Sequence, residues 1–237
     1  MDIDIVSDLH IEFNHDSFYD RMIKESTSKE IIIAGDIGCL RKPETRKAFI
    51  NLTNKYERVI YVPGNHDYYG IDIEEGDKIL TILEENIPNL IVLRPNKSIF
   101  LGKYKVIGAT LWVPYSEDLN KYPINDPNFI RNLYSHLDKM NSEASKFIYN
   151  NTDENTIVVT HHLPHPECIN PIYASDRTNC WFLSNENKTI IDKKPYMWIY
   201  GHTHERKIFK INQTLMLNNA YGYPKENTEI KDYTFTI

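Results

Sequence analysis

Five short apolar runs, spread along the chain, each end in residues that bind metals or move protons. Ile3-Asp4-Ile5-Val6-Ser7 leads into Asp8-Leu9-His10, and Ile31-Ile32-Ile33-Ala34 into Gly35-Asp36. Val59-Ile60-Tyr61-Val62-Pro63 leads into Gly64-Asn65-His66-Asp67, Ile157-Val158-Val159-Thr160 into His161-His162, and Met197-Trp198-Ile199-Tyr200 into Gly201-His202-Thr203-His204. Runs of this length, rich in β-branched and aromatic side chains and closed by Gly or Pro, read as buried strands breaking into tight loops. Taken alone, any one of these ends is an ordinary polar turn. Chance places one or two such groups; five strand ends carrying Asp, His or Asn predict a single shared site. In open α/β sheets ligands bind at the carboxyl ends of the strands, where these side chains fall.

The rest of the sequence is consistent with an α/β enzyme. The first half alternates strand and helix patterns, the signature of βαβ units and a largely parallel sheet. Strands are predicted at about 2–6 and 30–34, helices at about 17–24 and 44–55, the second opened by Pro43 in a first-turn position. Ile73, Ile79, Leu80, Ile82 and Leu83 give helical spacing that stops at Asn86-Ile87-Pro88. Three short strands follow, at 90–93, 98–101 and 105–109, with Gly102-Lys103 as a hairpin turn, and predict the edge of a second sheet. Residues 114–155 leave the alternation. They form a partly helical insertion in which Phe129, Ile130, Leu133, Leu137, Met140, Ala144, Phe147 and Ile148 lie near amphipathic spacing. A helix covering a sheet is the simpler reading, a substrate lid the sharper one. A hairpin at 206–217 closes the pattern, and 237 residues are read as one domain.

Composition narrows the partners. Hydrophobic content of 41% and charged content of 25% are those of an ordinary globular protein. A formal net charge of -6 argues against a general nucleic-acid-binding surface, which needs many Lys and Arg contacts to phosphate. It is compatible with a phosphate substrate neutralised by divalent cations. Cys39, Cys168 and Cys180 suggest neither a disulfide framework nor a zinc knuckle. No signal-peptide pattern and no membrane-length apolar run is present, so a cytoplasmic location without a membrane partner is expected.

Two carboxylates, imidazoles and an amide oxygen form a mixed N/O set suited to Mn²⁺, Fe, Zn²⁺ or Ni²⁺, and numerous enough for two ions. In two-metal hydrolases such ions clamp the attacking and leaving oxygens of an in-line displacement. With these blocks in hand, the sequence resembles the calcineurin-like metallophosphoesterase superfamily. Asp8-x-His10, Gly35-Asp36, Gly64-Asn65-His66-Asp67, His161 and Gly201-His202-x-His204 stand in that superfamily's order and span residues 8 to 204.

The resemblance implies a four-layer α/β/β/α sandwich with two mixed β-sheets flanked by helices and a dinuclear site at one edge. It implies Asp8, His10 and His204 on one metal, Asn65, His161 and His202 on the other, and Asp36 bridging, with Mn²⁺ the favoured ion. His66 is implied as the residue that stabilises the transition state or protonates the leaving oxygen, Asp67 as the group orienting its ring, and a metal-bridging water or hydroxide as the nucleophile. Thr110-Leu111-Trp112, Tyr173-Ala174-Ser175-Asp176 and Asn218-Asn219-Ala220-Tyr221-Gly222-Tyr223 look like a bacterial and phage-type branch. Leu163-Pro164-His165-Pro166 departs from the Ala-Pro or Pro-Pro usual after the tandem histidine.

Candidate substrate contacts are Arg41 after Asp36, Arg177 after His161, and His162, with an exposed structural role as the plainer reading of each arginine. Tyr69, Tyr115 and Tyr122 are candidates for stacking on a base. His15, His136 and His165 carry no motif support and are read as surface residues. No Arg or Lys lies in residues 4 to 14, 60 to 70 or 157 to 166, which leans toward phosphodiester rather than monoester substrates, nucleotide-type ones included. A protein or nucleotide phosphatase is the alternative. A non-catalytic metal-binding scaffold is the reading from another class, disfavoured because every ligand position and His66 are filled.

Overall fold

In β1 (Asp2–Val6), Ile3 and Ile5 pack in one apolar layer and Val6 in another, and all are buried. Asp2 and Asp4 alternate with Ile3 and Ile5 here, whereas residues 31–34 in the neighbouring strand give the near-continuous apolar run of a strand covered on both faces. The one buried carboxylate of β1, Asp4, is fully enclosed and accepts hydrogen bonds from the hydroxyls of Ser26, Ser28, Tyr56 and Thr234 at 2.5–2.8 Å.

The computed structural model describes residues 1–14, 18–226 and 233–237, so His15 lies outside the described residues. After β1 come α1 (Phe18–Glu25), β2 (Glu30–Ala34), α2 (Pro43–Lys55), β3 (Arg58–Val62), α3 (Ile73–Asn86) and β4 (Leu90–Val92). α2 carries Pro43 in its first turn, and Asp72 caps α3 by accepting from the Glu75 amide at 2.8 Å. β5 (Ser98–Leu101) and β6 (Tyr104–Ala109) form the hairpin around Gly102-Lys103. The insertion holds α4 (Glu117–Lys121), α5 (Asp126–Phe129) and α6 (Leu133–Asn151). β7 (Thr156–Thr160), α7 (Asn187–Lys193), β8 (Met197–Tyr200), β9 (Arg206–Ile211), β10 (Thr214–Asn219) and β11 (Thr234–Thr236) complete the order.

Two mixed sheets result, with strand orders β11-β1-β2-β3-β4 and β5-β6-β7-β8-β10-β9. Ile5, Ile32 and Ile60 of the first meet Val106, Ile157 and Ile199 of the second in the inner layer. Met22, Phe49, Leu52, Leu80 and Leu83 from α1–α3 cover the first sheet's outer face, and Ala144, Ile148 and Ile190 from α6 and α7 cover the second's. The layers are therefore α/β/β/α. Each fully buried Ile, Leu or Val in them contributes roughly 1.5–3 kcal/mol of transfer free energy.

Some elements differ from the sequence reading. β4 does not open the second sheet; it pairs parallel to β3 with Leu90 opposite Val59, because α3 is the crossover that returns the chain to the first sheet. The second sheet begins at β5. β11, three residues long, pairs antiparallel to β1, and α7 was not anticipated. α6 covers the second sheet, as in the simpler reading of the insertion, while residues 124–126 ahead of it line a cleft. Among the described residues no helix is long and apolar enough to cross a membrane.

The parallel pairings β1–β2, β2–β3 and β7–β8 bring five strand ends to one edge. There the two sheets are stitched together. The Tyr221 and Gly222 amides donate to the Ser7 and Asp8 carbonyls at 2.9 and 2.8 Å, and the Asn219 side-chain amide donates to the Ile5 carbonyl at 2.7 Å.

Candidate metal centre and cleft

Asp8, His10, Asp36, His202 and His204 all have left-handed backbone, with φ of 55°, 41°, 54°, 73° and 49°. Each such residue costs about 1–3 kcal/mol, and Asp and His are among the types that tolerate the region. The benefit is geometric. In an extended strand, residues two apart face the same way about 6.6 Å apart; after a left-handed turn, Asp8 and His10 converge on one donor group, while His202 and His204 are sent to different ones.

The loops are laced together by their backbones. Asp8, His10 and Ile11 amides each donate at 3.0 Å to the carbonyls of Gly35, Asp36 and Ile37. Gly35, at φ +90°, leaves room that a Cβ would fill 2.1 Å from His161 Nδ1, and a Cβ on Gly64 would lie 2.1 Å from Asp36 Oδ1.

Two donor groups meet at this edge. Asp8, His10 and His204 have donor atoms within 4.8 Å of one another, as do Asp36, His161 and His202. His10 Nε2 and His204 Nε2 face each other at 2.9 Å, and His204 Nε2 lies 3.7 Å from Asp8 Oδ1. Asn65 Oδ1 is 2.9 Å from His161 Nε2. Asp36 Oδ2 lies between the groups, 3.7 Å from His10 Nε2 and 3.5 Å from His161 Nε2.

The outer contacts turn these donors inward. His161 Nδ1 donates to the Ala34 carbonyl at 2.9 Å and His204 Nδ1 pairs with Glu226 at 2.7 Å, so each Nε2 faces the centre. Both Asp8 oxygens accept from the His202 amide. His202 Nε2 is buried without a hydrogen-bond partner among the described residues, as a nitrogen awaiting a cation would be. A mixed set of imidazole, carboxylate and amide donors fits divalent transition metals.

The electrostatics agree. Burial holds His10 and His202 well below the ordinary histidine range, in the neutral form a metal needs. Burial alone would raise Asp36, but His161 and His66 hold it well below the usual carboxylate range. Burial raises Asp8 against the pull of His204 and His161. For His161 burial is outweighed by Asp36, which holds the ring up at about 10.

His66 opens a 3₁₀ turn, His66–Tyr68, and its amide donates to Asp36 Oδ1 at 2.9 Å. Its ring stacks on Tyr69 at 4.0 Å, Nε2 lies 3.0 Å from the Tyr223 hydroxyl, and burial lowers its pKa. The resemblance has Asp67 orienting this ring; the structure corrects that. The turn sends the Asp67 carboxylate backwards, where it accepts from the amides of Gly64 at 2.6 Å, Asp36 at 3.1 Å and Gly38 at 3.4 Å. Asp67 therefore braces the loops after β2 and β3. His66 Nδ1 has no partner among the described residues, and the carboxylate beside it is Glu12, whose donor atom lies within 4.8 Å of those of His10 and His66.

The three candidate substrate contacts are placed differently. Arg41 lies outside the cleft with its guanidinium donating to the Gly70 carbonyl at 3.0 Å. Arg177 rests over the Tyr122 ring, 5.8 Å from its centroid. His162 is buried: Nδ1 donates to the Thr110 carbonyl at 3.1 Å, burial and His161 push it down to about 3, and its ring packs 4.6 Å from His202. None of the three lines the cleft. Tyr69 has both faces occupied, by His66 and Phe129, which leaves no face for a base.

The cleft over the donors measures about 810 Å³. Ile124, Ile169, Ile172, Tyr173 and Phe182 form its apolar wall; Asp126, Asp176, Glu205 and Glu226 give it an acidic one, with Arg206 the one Arg or Lys lining it among the described residues. Sequence reasoning missed Glu12, Asp126 and Glu226. Glu12 extends the Asp8-x-His10 spacing by two more residues, a signal that was readable. Asp126 in Ile-Asn-Asp-Pro carries none.

A family model for calcineurin-like phosphoesterases matches residues 1–206. The chain belongs to the calcineurin-like phosphoesterase family. Family chemistry is hydrolysis of phosphate esters with divalent metals, and the donor groups above are the candidate metal ligands. Among known proteins, an uncharacterized protein of Acanthamoeba polyphaga mimivirus is 27% identical over 265 positions, covering 97% of this chain and 94% of that one. Among solved structures, phosphopantetheinyl hydrolase (PptH) from Mycobacterium tuberculosis superposes with a TM-score of 0.78 at 18% identity, over 98% of this chain and 93% of that one. The protein TT1561 of Thermus thermophilus gives a TM-score of 0.61 at 12% identity, over 92% and 88%. At these identities the likeness is one of fold.

Proposed function

We propose that this calcineurin-like phosphoesterase hydrolyses phosphodiesters at a two-metal site, with Mn²⁺ the favoured ion. Asp8, His10 and His204 hold one ion, Asn65, His161 and His202 the other, and Asp36 is shared. When bound, the ions neutralise the phosphate and activate a water for in-line attack. The chain's own groups do the rest. His66 stabilises the transition state through Nε2 or, once protonated, gives its Nε2 proton to the leaving oxygen, Asp36 fixes the His66 amide, and Phe182, 4.4 Å from the His202 ring, flanks the site.

The observation that carries the diester reading is the charge of the cleft. Besides Asp36, four carboxylic side chains and a single Arg line it among the described residues. A monoester dianion in that setting meets more repulsion than a diester monoanion, and among the described residues Arg206 is the one Arg or Lys lining the cleft to pair with the extra phosphate charge. The apolar wall suits a diester whose second substituent is a base or another weakly polar group.

The test compares kcat/KM for bis(p-nitrophenyl) phosphate and p-nitrophenyl phosphate at one Mn²⁺ concentration, followed by nucleoside 2′,3′-cyclic phosphates. A diester preference is expected. A monoester preference of tenfold or more, about 1.4 kcal/mol of transition-state stabilisation, overturns the reading in favour of a phosphatase.

A further inference from the structure

Asn65 and His66 are adjacent in the chain yet are turned toward different tasks, one side chain toward His161 and the other toward Tyr223. Both are supported by one residue of the insertion. Asp126, 1% exposed, accepts through a single oxygen, Oδ1, from Asn65 Nδ2 at 2.8 Å and from the Tyr69 hydroxyl at 2.6 Å.

The first bond decides which end of an amide faces the site. The oxygen and nitrogen ends of Asn are nearly alike in shape, and only a partner of fixed polarity distinguishes them. Oδ1 of Asp126 takes the NH₂ end, so the carbonyl oxygen faces His161 Nε2 at 2.9 Å. The second bond fixes Tyr69, whose ring stacks on His66 at 4.0 Å on one side and on Phe129 at 5.0 Å on the other. Phe129 ends the same short helix that Asp126 begins, and backbone bonds from Gly70 to Phe129, 2.7 Å, and from Arg131 to Ile71, 3.0 Å, staple that helix to the loop after β3.

We propose that Asp126 is a positioning residue for phosphoester hydrolysis, holding the Asn65 carbonyl toward the metal site and, through Tyr69, the His66 ring toward the leaving oxygen. The insertion is thus part of the catalytic support. This inference rests on the ligand role given to Asn65 above. Groups that orient metal ligands typically change metal affinity or activity by about 10–100-fold when removed.

The experiment is Mn²⁺ titration, followed by electron paramagnetic resonance and calorimetry, of the full chain and four variants. Asp126→Ala is expected to weaken the second Mn²⁺ at least tenfold and leave the first within threefold. Asp126→Asn keeps a carbonyl that accepts the same two bonds and is expected to restore the second site to within threefold of wild type. Tyr69→Phe is expected to bind both ions normally and to lower kcat with little change in KM. Wild-type Mn²⁺ affinities in Asp126→Ala, while Asn65→Ala loses the second ion, overturn the positioning role alone. Unchanged Mn²⁺ binding in Asn65→Ala overturns the ligand assignment and the inference with it. If Asp126→Ala fails to fold, Asp126→Asn and Tyr69→Phe decide: loss of the second ion in the former, or unchanged kcat in the latter, counts against the proposal.

Discussion

The Tyr223 hydroxyl lies 3.0 Å from Nε2 of His66, across 157 positions of sequence. Under the proposed function that nitrogen faces the leaving oxygen, and the Tyr223 contact is then expected to hold its ring in place. His66→Ala is expected to keep both metals and lose about 10²–10⁴-fold in rate, the range for positioned acid–base groups. Tyr223→Phe removes one hydrogen bond, worth about 0.5–1.5 kcal/mol, and should reduce kcat roughly 2–10-fold at unchanged metal content. Turnover of a diester with a poor leaving group, read beside metal analysis, checks both. A larger loss in Tyr223→Phe than in His66→Ala makes the tyrosine the proton donor.

Asp36 reaches toward both donor groups, at 3.7 Å from His10 and 3.5 Å from His161. Asp36→Asn should therefore weaken both metals by tenfold or more, and His10→Ala should weaken chiefly one. Stoichiometry by metal analysis of the Mn²⁺-loaded protein should give two ions per chain. One ion or fewer in an active sample rules against the two-metal mechanism.

Gly64 has no space for a side chain, since a Cβ would lie 2.1 Å from Asp36 Oδ1 and 2.7 Å from the Asp36 amide nitrogen. Gly64→Ala is expected to destabilise the fold by about 1–3 kcal/mol, as overpacking does, and to loosen both metals by displacing Asp36. Chemical denaturation and Mn²⁺ titration measure the two effects. A variant with normal metal affinity shows that the loop can yield without moving the carboxylate.

In the metal-free protein His161 is held up at about 10 by Asp36 despite its burial. A folded-state pKa above the unfolded value of about 6.5 contributes stability fully below pH 6.5, lost as pH rises toward 10. Metal needs the neutral ring, so binding near pH 7 must expel that proton. His10 and His202, already held neutral by burial, release none there. The rise in Tm on adding Mn²⁺ should therefore grow between pH 6.5 and 9, with proton release measurable by calorimetry in buffers of different ionisation enthalpy. A rise in Tm that is flat across this range removes His161 from the proton-linked set.

The strand ends were legible because buried parallel strands announce themselves as apolar runs, and catalytic groups at their carboxyl ends interrupt those runs abruptly. β4 was placed in the wrong sheet because Leu90–Val92 is too short to say which neighbour it pairs with; only the crossover decides. The supporting residues were harder to read for a related reason. Asp126 and Glu226 act through tertiary contacts at separations of 61 and 22 residues, and no local period marks a side chain whose partner comes from elsewhere. Asp67, which the resemblance gives to the His66 ring, instead spends its carboxylate on the amides of Gly64, Asp36 and Gly38, a set of partners that its place in the sequence does not signal.

The left-handed backbone at Asp8, His10, Asp36, His202 and His204 sets a direction for sequence drift. Glycine at any of these positions relieves torsional cost that the native residue bears, while at Asp8 and Asp36 it also removes a carboxylate that accepts the His202 or His66 amide. At these five positions the residue that a donor site needs and the residue that the backbone prefers are therefore different.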